Sequence, residues 1–343
     1  MRNRRAFLAA AGSAIASTSG CLSTAGLNSV TGGDELRLTY DGAPPHFQAV
    51  VMQRESMFDA IPAAVTTEEG GCKSIVQMLV TEKADVGMTG IIPALTAIDR
   101  GPPLSIVAAS SREAFVVMAH EDLADRYESD GGEGWAEFAE DAGGTVKLAT
   151  YPEGSVSDIT ARHWLEETLD SPGETVELVP LAGPGAARQA LIAGEVDGAV
   201  IPEPTPTLVE TRGAPYRRIG WVGEFIPGQP AGVVLVRDAF AEENPAAVEG
   251  FLDRHRAATE FVNSRPEPSA EYMSDVYGGE GALDPETALK ALRSRATQYV
   301  TDPATIAEGT DVMAEYAARF EKTQEVYDAD DLIDPKYYEA VTE

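Results

Sequence analysis

The sequence contains few of the residues that cross-link small domains or hold metal ions. Among its 343 residues are two cysteines and four histidines, too few for a disulfide framework and too scattered for a metal cluster. Beyond the N-terminal segment, no apolar stretch approaches the about 20 residues that a membrane-spanning helix needs. The fold is therefore expected to depend on a hydrophobic core, for which 43% hydrophobic residues suffice.

Basic residues are also scarce, with 26 Lys+Arg against 56 Asp+Glu. Arg2, Arg4 and Arg5 lie in a segment that export would remove or bury, which leaves 23 basic residues and a charge of −33. Such a charge repels nucleic acid and anionic lipid, so no nucleic-acid partner is expected. Because concentrated salt screens self-repulsion, the charge and the low lysine use predict a salt-loving source. The hydrophobic content excludes an acidic disordered chain.

Residues 1–21 have the composition of an export signal. A basic start precedes an apolar run of about ten residues and a small-residue exit, which is typical of a signal peptide and too short to span a bilayer. Arg4-Arg5-x-Phe7-Leu8 resembles the twin-arginine signal. Ser19-Gly20-Cys21 resembles a lipobox, although Thr18 replaces the usual leucine. Cys21 is therefore the predicted lipidation site, with residues 22–33 as a polar tether on the outer face of the membrane. The alternative is an ordinary basic N-terminus before a helix.

Short β-rich runs alternate with helical patterns from Glu35 to Arg237, which predicts α/β architecture with parallel-rich sheets flanked by helices. Helical periodicity is clearest from Val248 to Val262, after Asn244-Pro245. Beyond Pro266 the pattern is nearly all helical. The predicted strands cover residues 35–40, 64–67, 85–87, 104–108, 115–119, 145–149, 175–179, 198–201, 217–221 and 232–236.

An internal repeat at a spacing of 112 residues indicates two lobes of similar plan. Residues 77–103, which contain Asp85 and end in Arg-Gly-Pro-Pro, are echoed by residues 189–215, which contain Asp197 and end in Arg-Gly-Ala-Pro. Chance similarity between α/β units is the alternative. The expected organisation is a first lobe of residues 34–118 plus 233–343, a second lobe of residues 119–232, and a two-strand hinge at the two crossings.

Four segments in the same order resemble a known family. They are residues 47–58 (FQAVVMQRESMF), residues 194–200 (GEVDGAV), Glu203-Pro204, and residues 240–248 around Glu-Asn-Pro. They are similar to segments of the nitrate/taurine/sulfonate-type and thiamine-precursor-type substrate-binding proteins of ABC importers. The resemblance covers about residues 36–338. It implies a two-lobe type II periplasmic-binding-protein fold, a solute in the interlobe cleft, no cofactor, and a permease and an ATPase as partners of a monomer.

Candidate ligand contacts follow from the strand ends, because ligands of open parallel sheets gather beyond the carboxyl ends of the strands. Thr89-Gly90 and Ser155 suit an anionic oxygen at a helix entry, or they only cap their own helices. Arg112 suits a carboxylate or sulfonate, or a solvated pair with a neighbouring acid. The full set is Asp41, His46, Thr89, Gly90, Ser111, Arg112, Tyr151, Gly154, Ser155, Gly183 and Glu203.

The charge of the ligand stays open at this point. Tyr151 could stack on a planar ligand or pack as a rim aromatic, and His46 could contact the ligand or be solvated. Asp41 and Glu203 favour an amine or a heteroaromatic cation, whereas Arg112 favours an oxyanion.

Enzyme motifs are weak in this sequence. The Gly-Pro-Gly-Ala-Ala-Arg run at residues 183–188 resembles a dinucleotide loop, but Arg188 stands where a third small residue belongs. P-loop, zinc-protease and nucleophile-elbow motifs are absent after the signal, and the acidic run at residues 328–334 lacks the glycine and closing glutamate of an EF-hand. Because some relatives of this fold make a pyrimidine precursor, a biosynthetic enzyme is the alternative to a binding protein.

Overall fold

A computed structural model describes residues 35–169, 175–279 and 282–343. The predicted signal, the lipidation site Cys21 and the tether lie outside the described residues. The eleven strands of the described chain are β1 (Glu35–Asp41), β2 (Ala64–Gly70), β3 (Val86–Thr89), β4 (Leu104–Arg112), β5 (Phe115–His120), β6 (Val146–Thr150), β7 (Val176–Pro180), β8 (Gly198–Pro202), β9 (Tyr216–Trp221), β10 (Pro230–Arg237) and β11 (Gln298–Tyr299).

The helices connect and cover these strands. They are α1 (Phe47–Arg54), α2 (Cys72–Val80), α3 (Ile91–Arg100), α4 (Glu121–Asp130), α5 (Gly132–Asp141), α6 (Val156–His163), α7 (Pro184–Ala193), α8 (Thr205–Thr211), α9 (Asp238–Glu243), α10 (Pro245–Ser264), α11 (Pro266–Tyr277), α12 (Pro285–Leu292), α13 (Ala307–Arg319), α14 (Ala329–Leu332) and α15 (Lys336–Ala340). A π-helical turn, Trp164–Thr168, continues α6. The predicted helical C-terminal region is confirmed.

The strands form two sheets with the same plan. The first has the order β11-β4-β10-β3-β1-β2, and the second has the order β7-β6-β8-β5-β9. Counted from β2 in the first sheet and from β7 in the second, both sheets begin with three parallel strands. The next strand, β10 or β5, arrives from the other lobe, and a further strand, β4 or β9, lies beside it. We call the first sheet with its helices the first lobe and the second sheet with its helices the second lobe.

The 112-residue repeat has a direct structural cause at Asp85 and Asp197. The Asp85 carboxylate accepts the backbone N–H of Arg37 at 3.1 Å, and the Asp197 carboxylate accepts that of Lys147 at 2.8 Å. The backbone N–H groups of the two aspartates donate in return to Arg37 and Lys147, at 2.9 and 2.8 Å. Each aspartate thus joins the start of one parallel strand to its neighbour, β3 to β1 or β8 to β6. The repeat is the sequence mark of this junction in each lobe.

The chain passes between the sheets twice, at residues 113–114 and 222–229, because β4 and β10 belong to the first sheet while β5 and β9 belong to the second. The expected boundaries at 118/119 and 232/233 fall within β5 and β10. Both arriving strands run antiparallel to their neighbours. The sheets are therefore mixed, whereas the hydrophobic pattern predicted parallel-rich sheets. A parallel neighbour requires a crossover connection, usually a helix, and β5 and β10 each enter directly from the other lobe without one.

Packing of helical faces follows the sequence pattern. On α10, the face formed by Val248, Phe251, Leu252, His255, Thr259 and Val262 is buried. Trp164 and Leu165 of the second lobe are buried in the same way. Within the described ranges, no helix is both long and apolar enough to cross a membrane.

Candidate functional site

Loops from both lobes meet in a crevice at the carboxyl ends of the parallel strands. Asp41 ends β1 and Thr89 ends β3, while Tyr151 follows β6. Gly90 directly precedes α3 and lies so close to the second lobe that a Cβ atom there would be 2.7 Å from Cγ2 of Val156 on α6. The lobes therefore touch beside Thr89, and the lack of a side chain at Gly90 permits the approach.

Asp41 lies in this crevice in contact with the thiol of Cys72. The thiol donates to Oδ2 of Asp41 at 3.2 Å, and the backbone N–H of Ala43 donates to Oδ1 at 3.1 Å. Burial raises the pKa of the Asp41 carboxyl. Burial, together with the nearby Asp41 charge, also raises the pKa of Cys72 to about 12. The thiol is therefore a neutral hydrogen-bond donor at neutral pH rather than a nucleophile.

Three buried hydroxyl groups near this carboxylate make no hydrogen bond of good geometry within the described residues, although Thr205 lies near the Tyr151 phenol and the Cys72 thiol lies near the Thr89 hydroxyl. They are Oγ1 of Thr89 and the phenol oxygens of Tyr151 and Tyr277. Burial raises the pKa of both tyrosines, and the charge of Asp41 makes a smaller contribution in the same direction. Tyr151 comes from the second lobe and Tyr277 from the end of α11. We call Asp41, Cys72, Thr89, Tyr151 and Tyr277 the Asp41 cluster.

A cavity of about 180 Å³ opens beside the Asp41 cluster. Tyr277 belongs to both, Pro44 and Thr205 line the cavity, and Arg188 reaches it from α7. Arg188 has no ion pair within the described ranges, although carboxylates outnumber basic residues about twofold in the chain. This half-buried guanidinium is a cation at the mouth of the crevice that no carboxylate of the described residues pairs with.

Two charged candidates from the sequence are engaged inside the protein. Nε of Arg112 donates to Oε1 of Gln298 at 3.1 Å, and Nη1 donates to the carbonyl of Thr305 at 3.5 Å. Oε1 of Glu203 lies 2.8 Å from Nη2 of Arg218. Glu203 is 4% exposed and also accepts from Thr207. Burial raises the pKa of Glu203, against the effect of Arg218.

Three further candidates lie on the second lobe just before α6 and α7. Ser155 caps α6 by accepting from the N–H of Asp158 at 3.3 Å, which is the structural role considered for this hydroxyl. Gly154, at φ +77°, lies against Lys322. Gly183 caps α7 at φ +151° with open space around it, next to the cavity-lining Pro184.

His46 and Ser111 lie behind the crevice in the interior of the first lobe. His46 is 2% exposed, and burial, followed by the nearby His255, lowers its pKa to about 3. Its ring packs on β10, where a Cβ atom at Gly232 would lie 2.6 Å from Cε1 of His46. Ser111 pairs with Gly232 in the sheet, and its hydroxyl has no partner within the described part of the chain.

Sequence reasoning missed Tyr277 and Arg188. Tyr277 lies in the C-terminal helical region, far along the chain from the candidate strand ends, and no local motif marks it. Arg188 was noted only because it breaks a dinucleotide-loop pattern. Its lack of a carboxylate partner is visible only once the neighbours in space are known.

Several solved structures with the same fold are components of import systems or periplasmic binding proteins. The chain is similar to the periplasmic aliphatic sulphonate binding protein SsuA from Escherichia coli, with 19% identity, coverage of 88% of this chain and 92% of that one, and a TM-score of 0.69. The periplasmic nitrate-binding protein NrtA from Synechocystis PCC 6803 is 13% identical over 90% of this chain and 88% of that one, with a TM-score of 0.71.

A third similar structure is the ligand-binding component of an ABC-type import system from Staphylococcus aureus with zinc bound, at 12% identity, coverage of 90% and 99%, and a TM-score of 0.69. These likenesses confirm the periplasmic-binding-protein fold expected from the sequence. No protein of curated function matches the sequence significantly. The model of the NMT1-like family matches residues 33–275, about seven-tenths of the chain. The chain therefore belongs to the NMT1-like family.

Proposed function

We propose that the protein is the extracytoplasmic solute-binding component of an ABC importer. It binds one small organic solute in the crevice between its lobes and delivers it, as a monomer, to a membrane permease driven by a cytoplasmic ATPase. The family, the fold, and the functions of the similar sulphonate- and nitrate-binding proteins support this role.

The observation that carries the proposal is the Asp41 cluster. A buried hydroxyl without a well-directed partner costs up to about 1–3 kcal/mol, and Thr89, Tyr151 and Tyr277 each present one near Asp41. Such groups are positioned for a partner that comes from outside the chain. Because the first lobe, the second lobe and α11 each contribute a group, a solute that satisfies them also holds the lobes together.

The chemistry of the cluster favours hydrogen-bond donors at the inner end of the solute. A buried carboxylate such as Asp41 is stabilised by an N–H donor or a cation, and an oxyanion at the same place would be repelled. Arg112, the cation that favoured an oxyanion, is engaged by Gln298 and Thr305. We therefore propose an amine or a nitrogen heterocycle at Asp41, with room for an anionic group at Arg188.

Export and anchoring complete the proposed role. Residues 1–21 act as a twin-arginine signal, and a lipid on Cys21 holds the acidic domain at the outer face of the membrane of a salt-loving cell. Replacement of Cys21 by Ala is expected to release the protein from the membrane fraction into the medium. Retention of the C21A protein with the membranes would contradict lipid anchoring and would leave solute binding unaffected.

The central test is a thermal-shift screen in concentrated salt. The panel contains nitrate, sulfonates, bicarbonate, phosphonates, pyrimidines, amines and amino acids. A ligand at a hundred times its dissociation constant adds roughly 2.7 kcal/mol to the free energy of unfolding. Stabilisation by a nitrogenous solute is expected, and the lack of a shift with every member of the panel would refute the binding function. A shift only with nitrate or sulfonates would keep the binding function and refute the proposed ligand charge.

A further inference from the structure

Helix α13 contacts both lobes and the second crossing of the chain. It packs against α3 of the first lobe and α6 of the second. At its first turn a Cβ atom on Gly309 would lie 2.4 Å from the carbonyl oxygen of Gly228, in the crossing segment 222–229. The family match ends at residue 275, so α13 lies beyond the matched residues.

The end of α13 is fastened to the first lobe by Asp99 of α3. Oδ1 of Asp99 accepts the backbone N–H of Gln324 at 2.8 Å and the hydroxyl of Tyr327 at 3.2 Å. Its Oδ2 accepts from the side-chain amide of Gln324 at 3.2 Å. The hydroxyl of Thr96, also on α3, is 3.4 Å from the carbonyl of Lys322. When the lobes separate, the segment after α13 is therefore expected to stay with the first lobe.

The last turn of α13 and Lys322, which follows it, hold the second lobe through charges. Nη1 of Arg319 lies 2.5 Å from Oε2 of Glu166, in the π-helical turn after α6. The hydroxyl of Tyr316 donates to the same oxygen at 3.2 Å. Nζ of Lys322 lies 3.2 Å from Oε1 of Glu153, in the loop before α6.

Ring contacts accompany these ion pairs. The guanidinium of Arg162 on α6 lies 4.7 Å from the ring centroid of Phe320. The ring of His163 lies 5.0 Å from that of Tyr316 and stacks at 5.9 Å on Phe225, which belongs to the crossing segment. The interface is therefore a mixed aromatic and ionic contact, not a chance approach of one side chain.

We propose that residues 316–322 form a C-terminal clasp that sets the equilibrium between closed and open lobes in the ligand-free protein. The two covalent crossings permit opening, whereas the clasp must break two ion pairs and two ring contacts at once. Each exposed ion pair is weak alone, but pairs that break together add up. The apparent affinity for any solute that requires the closed form scales with the closed fraction, so the clasp also adjusts affinity from outside the ligand site.

The test compares ligand-free variants of the full chain in concentrated salt by hydrogen exchange and small-angle scattering. The variant R319Q/K322Q removes both cations that reach the second lobe. The matched control is R293Q, which breaks an exposed ion pair of 2.9 Å with Glu267 of α11, outside the contacts of α13. The readouts are the exchange rates of the crevice amides of residues 89–91, 205 and 207, distant in sequence from the clasp, and the radius of gyration.

We expect R319Q/K322Q to raise the exchange rates of the crevice amides roughly threefold to thirtyfold and to increase the radius of gyration, with R293Q unchanged. The charge-swapped variant R319E/E166R should restore slower exchange than R319E alone. Faster exchange confined to α13, an equal effect of R293Q, or no benefit from the swap would overturn the clasp. Because no solute is present, these outcomes are independent of the proposed binding function.

Discussion

Asp85 and Asp197 occupy equivalent positions in the two lobes, and we expect replacement by Ala to have unequal effects. Asp85 is 1% exposed and accepts from Nε and Nη2 of Arg37, at 2.8 and 2.6 Å, and from Nη2 of Arg237 at 2.7 Å, besides one backbone N–H. Asp197 accepts one backbone N–H, from Lys147. Asp85 therefore connects β1, β3 and β10, whereas Asp197 only orders one strand start.

The magnitudes follow from these partners. Removal of one member of a buried ion pair costs about 3–5 kcal/mol, and partial exposure of Arg37 reduces the cost because water can solvate the freed guanidinium. We expect D85A to lower the free energy of unfolding by about 2–4 kcal/mol. D197A loses one charged hydrogen bond, on the order of 1 kcal/mol. Denaturant titration in concentrated salt measures both values from the transition midpoints.

A pH series tests the electrostatic part. Although burial alone would raise it, the guanidinium groups of Arg37 and Arg237 lower the pKa of the Asp85 carboxyl. A lowered folded-state pKa stabilises the fold above the unfolded value of about 3.9 and loses this effect as pH falls through the folded pKa. The difference between the wild-type protein and D85A should therefore shrink below about pH 4. Equal costs for D85A and D197A at neutral pH would refute the reasoning.

Three further variants test the site and the core. Y151F should abolish the thermal shift given by a bound solute, while Y272F, which removes a surface hydroxyl from Glu55, should leave it intact. R188Q should lower the affinity for solutes with an anionic end by roughly fivefold or more and leave the affinity for uncharged analogues unchanged. Isothermal titration would measure both affinities. Burial lowers the pKa of His255 to about 4, so the unfolded state binds the proton more strongly and stability falls as pH drops from about 6.5 to 4. H255F should reduce this loss of unfolding free energy by up to roughly 3 kcal/mol, as acid-unfolding curves would show. An unchanged pH dependence of stability in H255F would contradict the assigned role of His255.

The strands could be predicted because their signals are local. All ten sequence-predicted strands overlap observed ones, and their starts agree within two residues, since short β-branched runs between turn residues need no long-range information. β11, Gln298–Tyr299, was missed because two residues carry no periodic pattern. The mixed parallel and antiparallel pairing of the sheets could not be predicted from the sequence either, since the direction of a strand relative to its neighbours depends on which strand the chain joins after it crosses between the lobes.

The candidate site was predictable only where a strand end alone places a residue. Asp41, Thr89 and Tyr151 follow strands and meet in the crevice. Arg112 follows a strand in the same way, yet its partner Gln298 is 186 residues away in sequence, and no local pattern predicts that contact.

The position of β10 between β3 and β4 has a consequence for how the chain folds. Strands β5 to β9 form the second sheet from one uninterrupted stretch, residues 115–221, whereas the first sheet lacks a central strand until residues 230–237 have been synthesised. The second lobe can therefore form from the nascent chain first, while the first lobe must close a loop of more than a hundred residues between β4 and β10, which slows its formation. Until then, the facing edges of β3 and β4 are unpaired, so the late arrival of β10 is the step at which this protein is most exposed to aggregation.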